Sequence, residues 1–299
     1  MENDYQKHAL ITGATSGIGY ELAKLFAKDN YNLVLVARSQ NNLEETKKEI
    51  EALFPKIHIH LYAADLFERG QAEMLYQKTE SLGIRVDVLV NNAGQGEWGK
   101  FTNTDLQREI DIIELNVISM MVLTKLYLKD MVARNSGKIL QLASSASKVP
   151  SPYLSVYAAT KAFTLSLAEA LSREVENTDV IITALQPGAT DTDFFHKAKA
   201  ENTVTYQEME LYTPEEVAKA GFDGLMKGEM TVVPGIMNKA QGMLSNFLPD
   251  QAVAANMEKK MERSTKATGN VKLPKHLASA RERESINAAT QDVHGDLNK

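Results

Sequence analysis

Thr12-Gly13-Ala14-Thr15-Ser16-Gly17-Ile18-Gly19 joins an apolar run of strand length, residues 8–12, to an amphipathic segment of helical period, residues 18–28. Glycines in such a turn allow a tight bend and a close approach of a pyrophosphate to the backbone, at the positive end of the helix dipole. The alternative is a glycine-rich turn that binds no ligand. Because the turn lies directly between a strand and a helix, the sequence favours a dinucleotide site. The predicted cofactor residues of this turn are Gly13, Thr15, Ser16, Gly17, Ile18 and Gly19.

Apolar runs of strand length alternate with longer amphipathic segments along most of the chain. The predicted strands are residues 8–12, 33–37, 57–62, 86–90, 138–142, 180–185 and 231–233. The predicted helices are residues 18–28, 42–53, 70–82, 105–134, 157–175 and 214–226. Continuous apolar strands separated by helices indicate a parallel sheet covered on both faces, with right-handed crossovers. The sequence therefore predicts an α/β fold, a doubly wound parallel sheet in a single Rossmann-fold domain.

The composition is that of an ordinary soluble globular protein, with 43% hydrophobic and 24% charged residues among 299. A net charge of −6 argues against a nucleic-acid partner. The absence of cysteine excludes disulfides, thiolate metal sites and a cysteine nucleophile. The histidines lack ligand spacing, so we expect no catalytic metal. No apolar run reaches the ~20 residues of a membrane span, and the amino terminus lacks the pattern of a secretion signal. We therefore expect a cytoplasmic protein.

The end of the second predicted strand bears on the choice of dinucleotide. An acidic residue there would accept hydrogen bonds from an unphosphorylated adenosine ribose, but the sequence continues with Arg38 and Ser39. Both side chains offer donors to a 2′-phosphate. NADP is therefore favoured over NAD, and the alternative is that Arg38 is merely solvated.

Tyr157 and Lys161 are four residues apart in a predicted helix, so their side chains emerge on the same face. A phenol titrates near ~10, and an ammonium group beside it favours the phenolate. A tyrosine so placed can act as a general acid or base. The spacing alone is weak support, because it recurs by chance in amphipathic helices.

Taken in order, these motifs resemble the short-chain dehydrogenases/reductases, of the compact type with a TGxxxGxG turn. The similarity covers about residues 7–240 and includes Asn91-Asn92-Ala93-Gly94 after the fourth strand and Pro187-Gly188 after the sixth. It implies that Asp65 contacts the adenine ring and that the Pro187-Gly188 turn lies beside the nicotinamide. The cofactor residues that it implies are Asp65, Leu66, Asn92, Ala93, Gly94, Tyr157, Lys161, Pro187, Gly188, Thr190 and Thr192.

The same resemblance implies a catalytic set of Asn116, Ser144, Tyr157 and Lys161. Ser144 lies thirteen residues before the tyrosine and would bind the substrate carbonyl oxygen. Lys161 would hold the nicotinamide ribose and lower the pKa of the tyrosine. Asn116 would hold a water in a proton relay to Lys161, and the alternative is a hydrogen-bonded core asparagine.

We predict one domain over residues 1–263, and the resemblance implies a substrate lid within it at about residues 189–212. The aromatic residues of the lid suggest that part of the substrate is apolar; they are Phe194, Phe195, Tyr206 and Tyr212. Three further aromatics are candidates for pocket walls or for packing: Trp98, Phe101 and Tyr153. Residues 264–299 are predicted to be a polar, flexible tail, and the charge run of Lys259, Lys260, Arg263 and Lys266 to be solvated.

The apolar pairs Met243-Leu244 and Phe247-Leu248 have helical spacing and favour packing or a subunit contact over a membrane surface. We expect a homodimer or homotetramer. The function implied is NADP-dependent reduction of a carbonyl compound to an alcohol. A non-enzymatic NADP-binding sensor or scaffold is the main alternative, although such a protein has no need of the complete catalytic set. An epimerase or dehydratase is a third possibility.

Overall fold

The computed structural model describes residues 6–235 and 249–264. The strands are β1 His8–Thr12, β2 Asn32–Ala37, β3 Ile59–Ala63, β4 Val86–Asn91, β5 Gly137–Leu142, β6 Val180–Leu185 and β7 Thr231–Val232. The α-helices are α1 Gly17–Lys28, α2 Gln40–Leu53, α3 Gln71–Ser81, α4 Leu106–Ile113, α5 Met120–Ala133, α6 Ser155–Glu174, α7 Phe194–Lys197, α8 Val204–Glu208, α9 Pro214–Lys227 and α10 Asp250–Met261. The predictions for residues 236–248 and for residues 265–299, including Met243, Leu244, Phe247, Leu248 and Lys266, lie outside the described residues.

The seven described strands form one parallel sheet in the order β3-β2-β1-β4-β5-β6-β7. The apolar runs of the central strands are buried on both faces because helices cover them. One core cluster packs α1 and α9 on the sheet, and a second packs α3, α5 and α6 on it through Leu75, Leu123 and Leu165. The predicted doubly wound α/β fold is confirmed.

The strand order reverses between β1 and β4, which are neighbours in the sheet although two strands lie between them in the chain. A crevice opens at the carboxyl ends of the strands at such a point, and ligands of open parallel sheets bind there. The glycine turn follows β1, and Asn92 follows β4. The fold therefore brings these two predicted cofactor segments to the same crevice.

The long helix predicted over residues 105–134 is divided in the structure. A π-helical turn, Glu114–Ser119, separates α4 from α5. Single π-turns within helices often occur at functional sites because they change the direction of the side chains that follow. Asn116 lies in this turn.

The lid and α10 form a separate small layer beside the crevice. Phe195 and Tyr206 are buried in a cluster of lid residues. The α10 helix is joined to this cluster by hydrogen bonds from the Val204 amide to Glu262 O at 3.0 Å and from the Trp98 indole to Met261 O at 2.7 Å. Among the residues that the structure describes, no helix is both long and apolar enough to cross a membrane.

Part of the charge run lies in this layer. The Arg263 guanidinium lies 5.5 Å from the centre of the Trp98 ring, and Lys260 is partly buried, whereas Lys259 is exposed. The prediction of a solvated run therefore holds for Lys259 and for Arg263, which is exposed although it lies over the Trp98 ring, but not for Lys260. The sequence pattern did not reveal this, because the contacts arise from segments far apart in the chain.

Candidate active site

A cleft of about 500 Å³ runs along the carboxyl ends of the strands, from the glycine turn to α10. The predicted residues that line it are Gly13, Thr15, Ser16, Gly17, Ile18, Arg38, Ser39, Asp65, Leu66, Asn92, Ala93, Gly94, Ser144, Tyr157, Lys161, Pro187, Gly188, Thr190 and Thr192. Gly19 and Asn116 do not line the cleft themselves, but each of them contacts residues that do.

The glycine turn is bent as the sequence predicts. Gly13 has a φ of +65°, which side chains rarely allow. Gly19 lies behind the turn: a Cβ there would be 2.3 Å from Gly13 O and 2.4 Å from Asn92 Nδ2. Gly19 is therefore required for packing α1 against the turn, rather than as a direct lining residue.

The amino terminus of α1 opens on this end of the cleft. Within the described residues, the N-cap Ser16 makes no side-chain capping hydrogen bond, and the first turn carries no acidic residue. Helices leave their first amides without helical acceptors, and the helix dipole favours an anion there. The arrangement fits a pyrophosphate group.

Asn92 ties β4 to the glycine turn. Its side-chain amide donates to Thr12 O at 2.8 Å and to Gly13 O at 3.1 Å. The Thr12 hydroxyl accepts from the amides of Asn92 and Ala93, both at 3.0 Å. These hydrogen bonds fix the glycine turn after β1 and the segment after β4 relative to each other.

Arg38 and Ser39 lie at the end of the cleft beyond the glycine turn. The Arg38 guanidinium lies 5.3 Å from the centre of the Phe67 ring, and the Arg108 guanidinium lies at the same distance from that ring. The Ser39 hydroxyl accepts from the amide of Asn42 and caps α2. Phe67, which the sequence did not single out, therefore forms a platform for Arg38.

Ser144 and Tyr157 both line the cleft, and the Ser144 side chain acts on the Tyr157 hydroxyl. Ser144 follows β5, and its backbone position is held by a capping box with Ser147. Burial raises the pKa of Tyr157 to about 12, and the effect of the Ser144 side chain, which lowers it, is smaller. The direction is opposite to the expectation from the sequence, because burial penalises the phenolate more than the surrounding protein groups favour it.

Lys161 lies one turn further along α6 and points to the same region. Its Nζ donates to Leu142 O at 2.6 Å and lies 5.8 Å from the centre of the Tyr157 ring. Burial lowers the pKa of Lys161 to about 8. Tyr157 and Lys161 share a helix face, as predicted. The pKa that is lowered, however, is that of the lysine and not that of the tyrosine.

Asn116 lies behind Lys161. Its Nδ2 donates to Gln95 O at 2.8 Å and to Thr160 Oγ1 at 3.0 Å. A Cβ at Gly94 would lie 3.1 Å from Lys161 Nζ and 3.3 Å from Asn116 Oδ1, so both polar atoms border this glycine. Asn116 is thus a hydrogen-bonded buried asparagine that also lies beside the lysine.

Gln95 occupies a junction between the cleft and α4. Its side-chain oxygen accepts from the Arg108 guanidinium. Arg108 is also 3.7 Å from buried Glu97, which pairs with Lys199 of the lid at 2.5 Å. No sequence motif indicates this network, because its members come from separate segments of the chain.

Pro187 and Gly188 follow β6 and form part of the cleft wall. The Pro187 carbonyl accepts from the amide of Ser145 at 2.8 Å, which joins this wall to the loop that carries Ser144. The Thr190 hydroxyl donates to Gly188 O at 2.9 Å. The turn predicted beside the nicotinamide therefore lies next to the Ser144 loop.

The lid closes the other end of the cleft, but not with all of its aromatic residues. Phe194 packs on Tyr157 with ring centres 4.8 Å apart. Tyr206 is buried in the core of the lid, and the Tyr212 hydroxyl lies against Gly235. The described residues that line the cleft do not include Tyr206 or Tyr212, but they do include three methionines: Met209, Met257 and Met261.

The three aromatic residues outside the lid that were candidates for the pocket wall lie in different environments. Trp98 and Tyr153 stack on each other with ring centres 5.7 Å apart and an interplanar angle of 18°. Phe101 is exposed. For the stacked pair, the packing alternative is the one that the structure supports.

Comparisons with known proteins agree on one family. A family model described as short chain dehydrogenase matches residues 7–203. A very-long-chain 3-oxoacyl-CoA reductase of Mycosarcoma maydis is 39% identical over 181 residues, which are 59% of this chain and 51% of that protein. Dehydrogenase/reductase SDR family member 7B of Mus musculus is 30% identical over 82% of this chain and 75% of that protein.

Solved structures agree with this comparison. A short-chain dehydrogenase from Sphingobium yanoikuyae in complex with NADPH has a TM-score of 0.72 and 25% identity, over 81% of this chain and 96% of that chain. The chain spans only about half the length of the fungal reductase that it matches.

Proposed function

The chain belongs to the short-chain dehydrogenase/reductase family, and we propose that it is an NADP-dependent oxidoreductase that reduces a carbonyl group to an alcohol. The observation that carries the proposal is that Ser144, Tyr157 and Lys161 line the same cleft as the glycine turn. Two hydroxyl groups converge where a carbonyl oxygen can bind, and Lys161 lies behind them.

The residues present fit a dinucleotide. The amino terminus of α1 and the bend at Gly13 suit a pyrophosphate, and the cleft continues from there to Tyr157. When bound, NADPH would supply the hydride for the carbonyl carbon. The similarity to a dehydrogenase solved with NADPH supports this assignment.

The proton for the carbonyl oxygen comes from the Tyr157 hydroxyl. Because burial raises the pKa of Tyr157 to about 12, this group is protonated at neutral pH and is able to act as an acid. The Ser144 hydroxyl binds the same carbonyl oxygen and stabilises the charge that develops on it. Lys161 would hold the nicotinamide ribose of the bound cofactor and would return a proton to the Tyr157 oxygen, and a water held by Asn116 would supply a proton to Lys161 in turn.

The preference for NADP rests on Arg38. Its guanidinium group is exposed at the cleft end and is oriented by the Phe67 ring. An arginine in this place binds a 2′-phosphate through charge-assisted hydrogen bonds. The Ser39 hydroxyl, although it caps α2, retains a proton that it can donate.

The carbonyl compound belongs to the ketones, aldehydes or 3-oxoacyl groups. The name of the fungal relative supports a 3-oxoacyl group. The apolar lid side of the cleft, with Phe194 and Met209, supports a substrate with an apolar portion.

We further propose a homodimer or homotetramer. Leu106 is 72% exposed and Ile110 is 46% exposed on α4, and Ile113 and Phe163 are exposed beside them. An apolar surface of this kind suits contact with a second copy of the chain. The cytoplasmic location predicted from the sequence stays a prediction.

The test is consumption of NADPH and NADH by the purified chain with a panel of aldehydes, ketones and 3-oxoacyl thioesters. We expect turnover of at least one carbonyl class, with NADPH preferred. Tight binding of NADPH without turnover of any compound would favour the sensor. Exchange of substrate without net consumption of cofactor would favour an epimerase.

A further inference from the structure

Residues 96–98, which we call the docking strip, contact both ends of α7 in the lid. At the first end, a Cβ at Gly96 would lie 3.2 Å from Phe194 Cζ and 3.3 Å from Tyr157 Cβ. The Phe194 ring therefore lies where a larger residue at position 96 would crowd it. This ring lines the cleft and packs on Tyr157 with ring centres 4.8 Å apart.

The other two residues of the docking strip bind the far end of α7. The Trp98 amide donates to Ala198 O at 2.7 Å, directly after the helix. Lys199 Nζ donates to Glu97 Oε1 at 2.5 Å. The Glu97 side chain is only 6% exposed, whereas that of Lys199 is 70% exposed. The docking strip therefore holds the first residue of α7 and the two residues that follow the helix.

The backbone of Lys199 is in the left-handed region, with a φ of +60°. It follows Ala198, the C-cap of α7. Glycine is preferred at such a position because it has no Cβ, and other residues are strained there. Strain of this kind persists where the surrounding structure or the function requires it. The end of the helix does not explain a lysine here, whereas the contact with Glu97 does.

Glu97 is also 3.7 Å from Arg108 of α4. A buried carboxylate is costly unless it is paired with cations. One of its two cations comes from α4, and the other, Lys199, comes from the lid. Contact with the lid therefore completes the pairing of Glu97, and the pairing gives α7 a preferred position.

We propose that Glu97 is a positioning residue of the reaction: through Lys199 it fixes the end of α7 and thereby keeps the Phe194 ring on Tyr157. Phe194 is then a wall against which the substrate is held beside the tyrosine. Glu97 is not one of the described residues that line the cleft, so it acts through α7 and not on the substrate. This inference rests on the proposed function and adds a residue that controls the substrate side of the same cleft.

The first experiment measures the KM for the carbonyl substrate and the KM for NADPH. The substrates are octanal, octan-2-one and a 3-oxoacyl coenzyme A thioester, one for each proposed class. Lys199→Met should raise the substrate KM by about 3- to 10-fold, since Lys199 is largely exposed while its partner is buried. The KM for NADPH should not change. Glu97→Gln should raise the substrate KM at least as much, and Lys199→Arg, which keeps the charge, should preserve it.

Lys219→Met is the matched control. Lys219 is 69% exposed and is also 2.5 Å from a carboxylate, that of Asp223, but it lies on α9 outside the cleft. Its replacement should change neither KM. An unchanged substrate KM in Lys199→Met, or an equal rise in the KM for substrate and for NADPH, would overturn the inference.

A double-mutant cycle tests whether the effect passes through Phe194. Phe194→Ala removes the ring and should itself raise the substrate KM. Lys199→Met should then add little to Phe194→Ala, because residues that act through the same contact are not additive. Fully additive effects would show that Lys199 does not act through Phe194 and would overturn the inference.

Failure of the proposed function gives a different result, which is no turnover of any of these compounds by the wild-type chain. Trp98, the single tryptophan of the sequence, then reports on the docking strip without turnover. Its amide binds Ala198 O, and its ring stacks on Tyr153. Quenching of its fluorescence by acrylamide should increase in Lys199→Met and stay at the wild-type value in Lys219→Met. Equal quenching in all three proteins would contradict the role of the ion pair in fixing α7.

Discussion

Gln95 holds both ends of the Asn116 side-chain amide. The Gln95 amide donates to Asn116 Oδ1 at 3.0 Å, and Gln95 O accepts from Asn116 Nδ2 at 2.8 Å. Asn116 is buried, and it lies in the π-helical turn between α4 and α5. The asparagine therefore links the segment after β4 to this turn, and it does so beside Lys161.

The first prediction concerns Asn116 and Thr160. Asn116→Ala leaves the part-buried N–H and C=O groups of Gln95 without their side-chain partners, and a group left unsatisfied in this way costs about 1–3 kcal/mol. Thr160→Val removes the hydrogen bond from Asn116 and the one from the Thr160 hydroxyl to Tyr157 O, each worth about 1 kcal/mol, and leaves both bonds between Asn116 and Gln95 in place. Urea unfolding should therefore rank Asn116→Ala as the less stable variant, and its kcat should also fall further. Equal losses in the two variants would contradict the role of the Gln95 clamp.

The second prediction concerns Tyr157. Tyr157→Phe removes the proposed acid but keeps the ring that packs on Phe194, so NADPH should bind with unchanged affinity. Turnover should fall by about 10²- to 10⁴-fold. Fluorescence titration with NADPH and steady-state kinetics check the two parts. Tyr153→Phe, which alters a nearby tyrosine stacked on Trp98, is the matched control; retained turnover in Tyr157→Phe would remove the tyrosine from the mechanism.

The third prediction is a pH dependence of stability. Burial lowers the pKa of Lys161 from 10.5 to about 8 in the folded chain, so the unfolded chain binds more protons between these values. Stability therefore rises with pH in this window, because the cost of burying the charged lysine disappears. Relative to Lys161→Met, the wild-type chain should gain about 2 kcal/mol between pH 7 and 9.5. Urea unfolding of both proteins at the two pH values measures the difference, and a constant difference would contradict the buried environment of Lys161.

The fourth prediction concerns the choice of cofactor. Arg38→Leu removes the cation at the end of the cleft and should raise the KM for NADPH by about 10- to 100-fold, with little change for NADH. Arg173→Leu, at an exposed arginine on α6 outside the cleft, should change neither value. Initial rates with both cofactors give the comparison. An equal loss with NADPH and NADH would mean that Arg38 does not read the 2′-phosphate.

The fifth prediction concerns association. Ile110→Glu places a charge on the exposed apolar surface of α4 and should reduce the molar mass in solution to that of the monomer. Leu53→Glu, at an exposed leucine at the end of α2, should leave the mass of the oligomer unchanged. Light scattering coupled to size exclusion measures both variants. A wild-type monomer, or an oligomer that persists in Ile110→Glu, would rule out this surface as the interface.

The sequence predicted the framework of the site because the relevant information is local. A strand, a glycine turn and a helix occur in immediate succession around Gly13, and Tyr157 and Lys161 are one helical turn apart. The parallel order of the strands then requires the segments after β1 and β4 to meet. Asn92 is accordingly found with its side chain bonded to the glycine turn.

The lid illustrates the opposite case. An aromatic residue in the sequence indicates burial but not which space its side chain fills, and Tyr206 is buried in the core of the lid rather than at the cleft. Met257 and Met261 reach the cleft only because α10 docks on α8 and on Trp98. Their sequence pattern carries no sign of that docking.

The sequence by itself determined the alternation of strands and helices, the glycine turn and the set of polar side chains available for catalysis. Tertiary structure alone decided how those side chains are solvated. It raised the pKa of Tyr157, lowered that of Lys161 and brought Met257 and Met261 to the cleft. The physical reason is that the periodicity of a helix or strand is set by neighbours along the chain, whereas burial and charge are set by segments that meet only after folding.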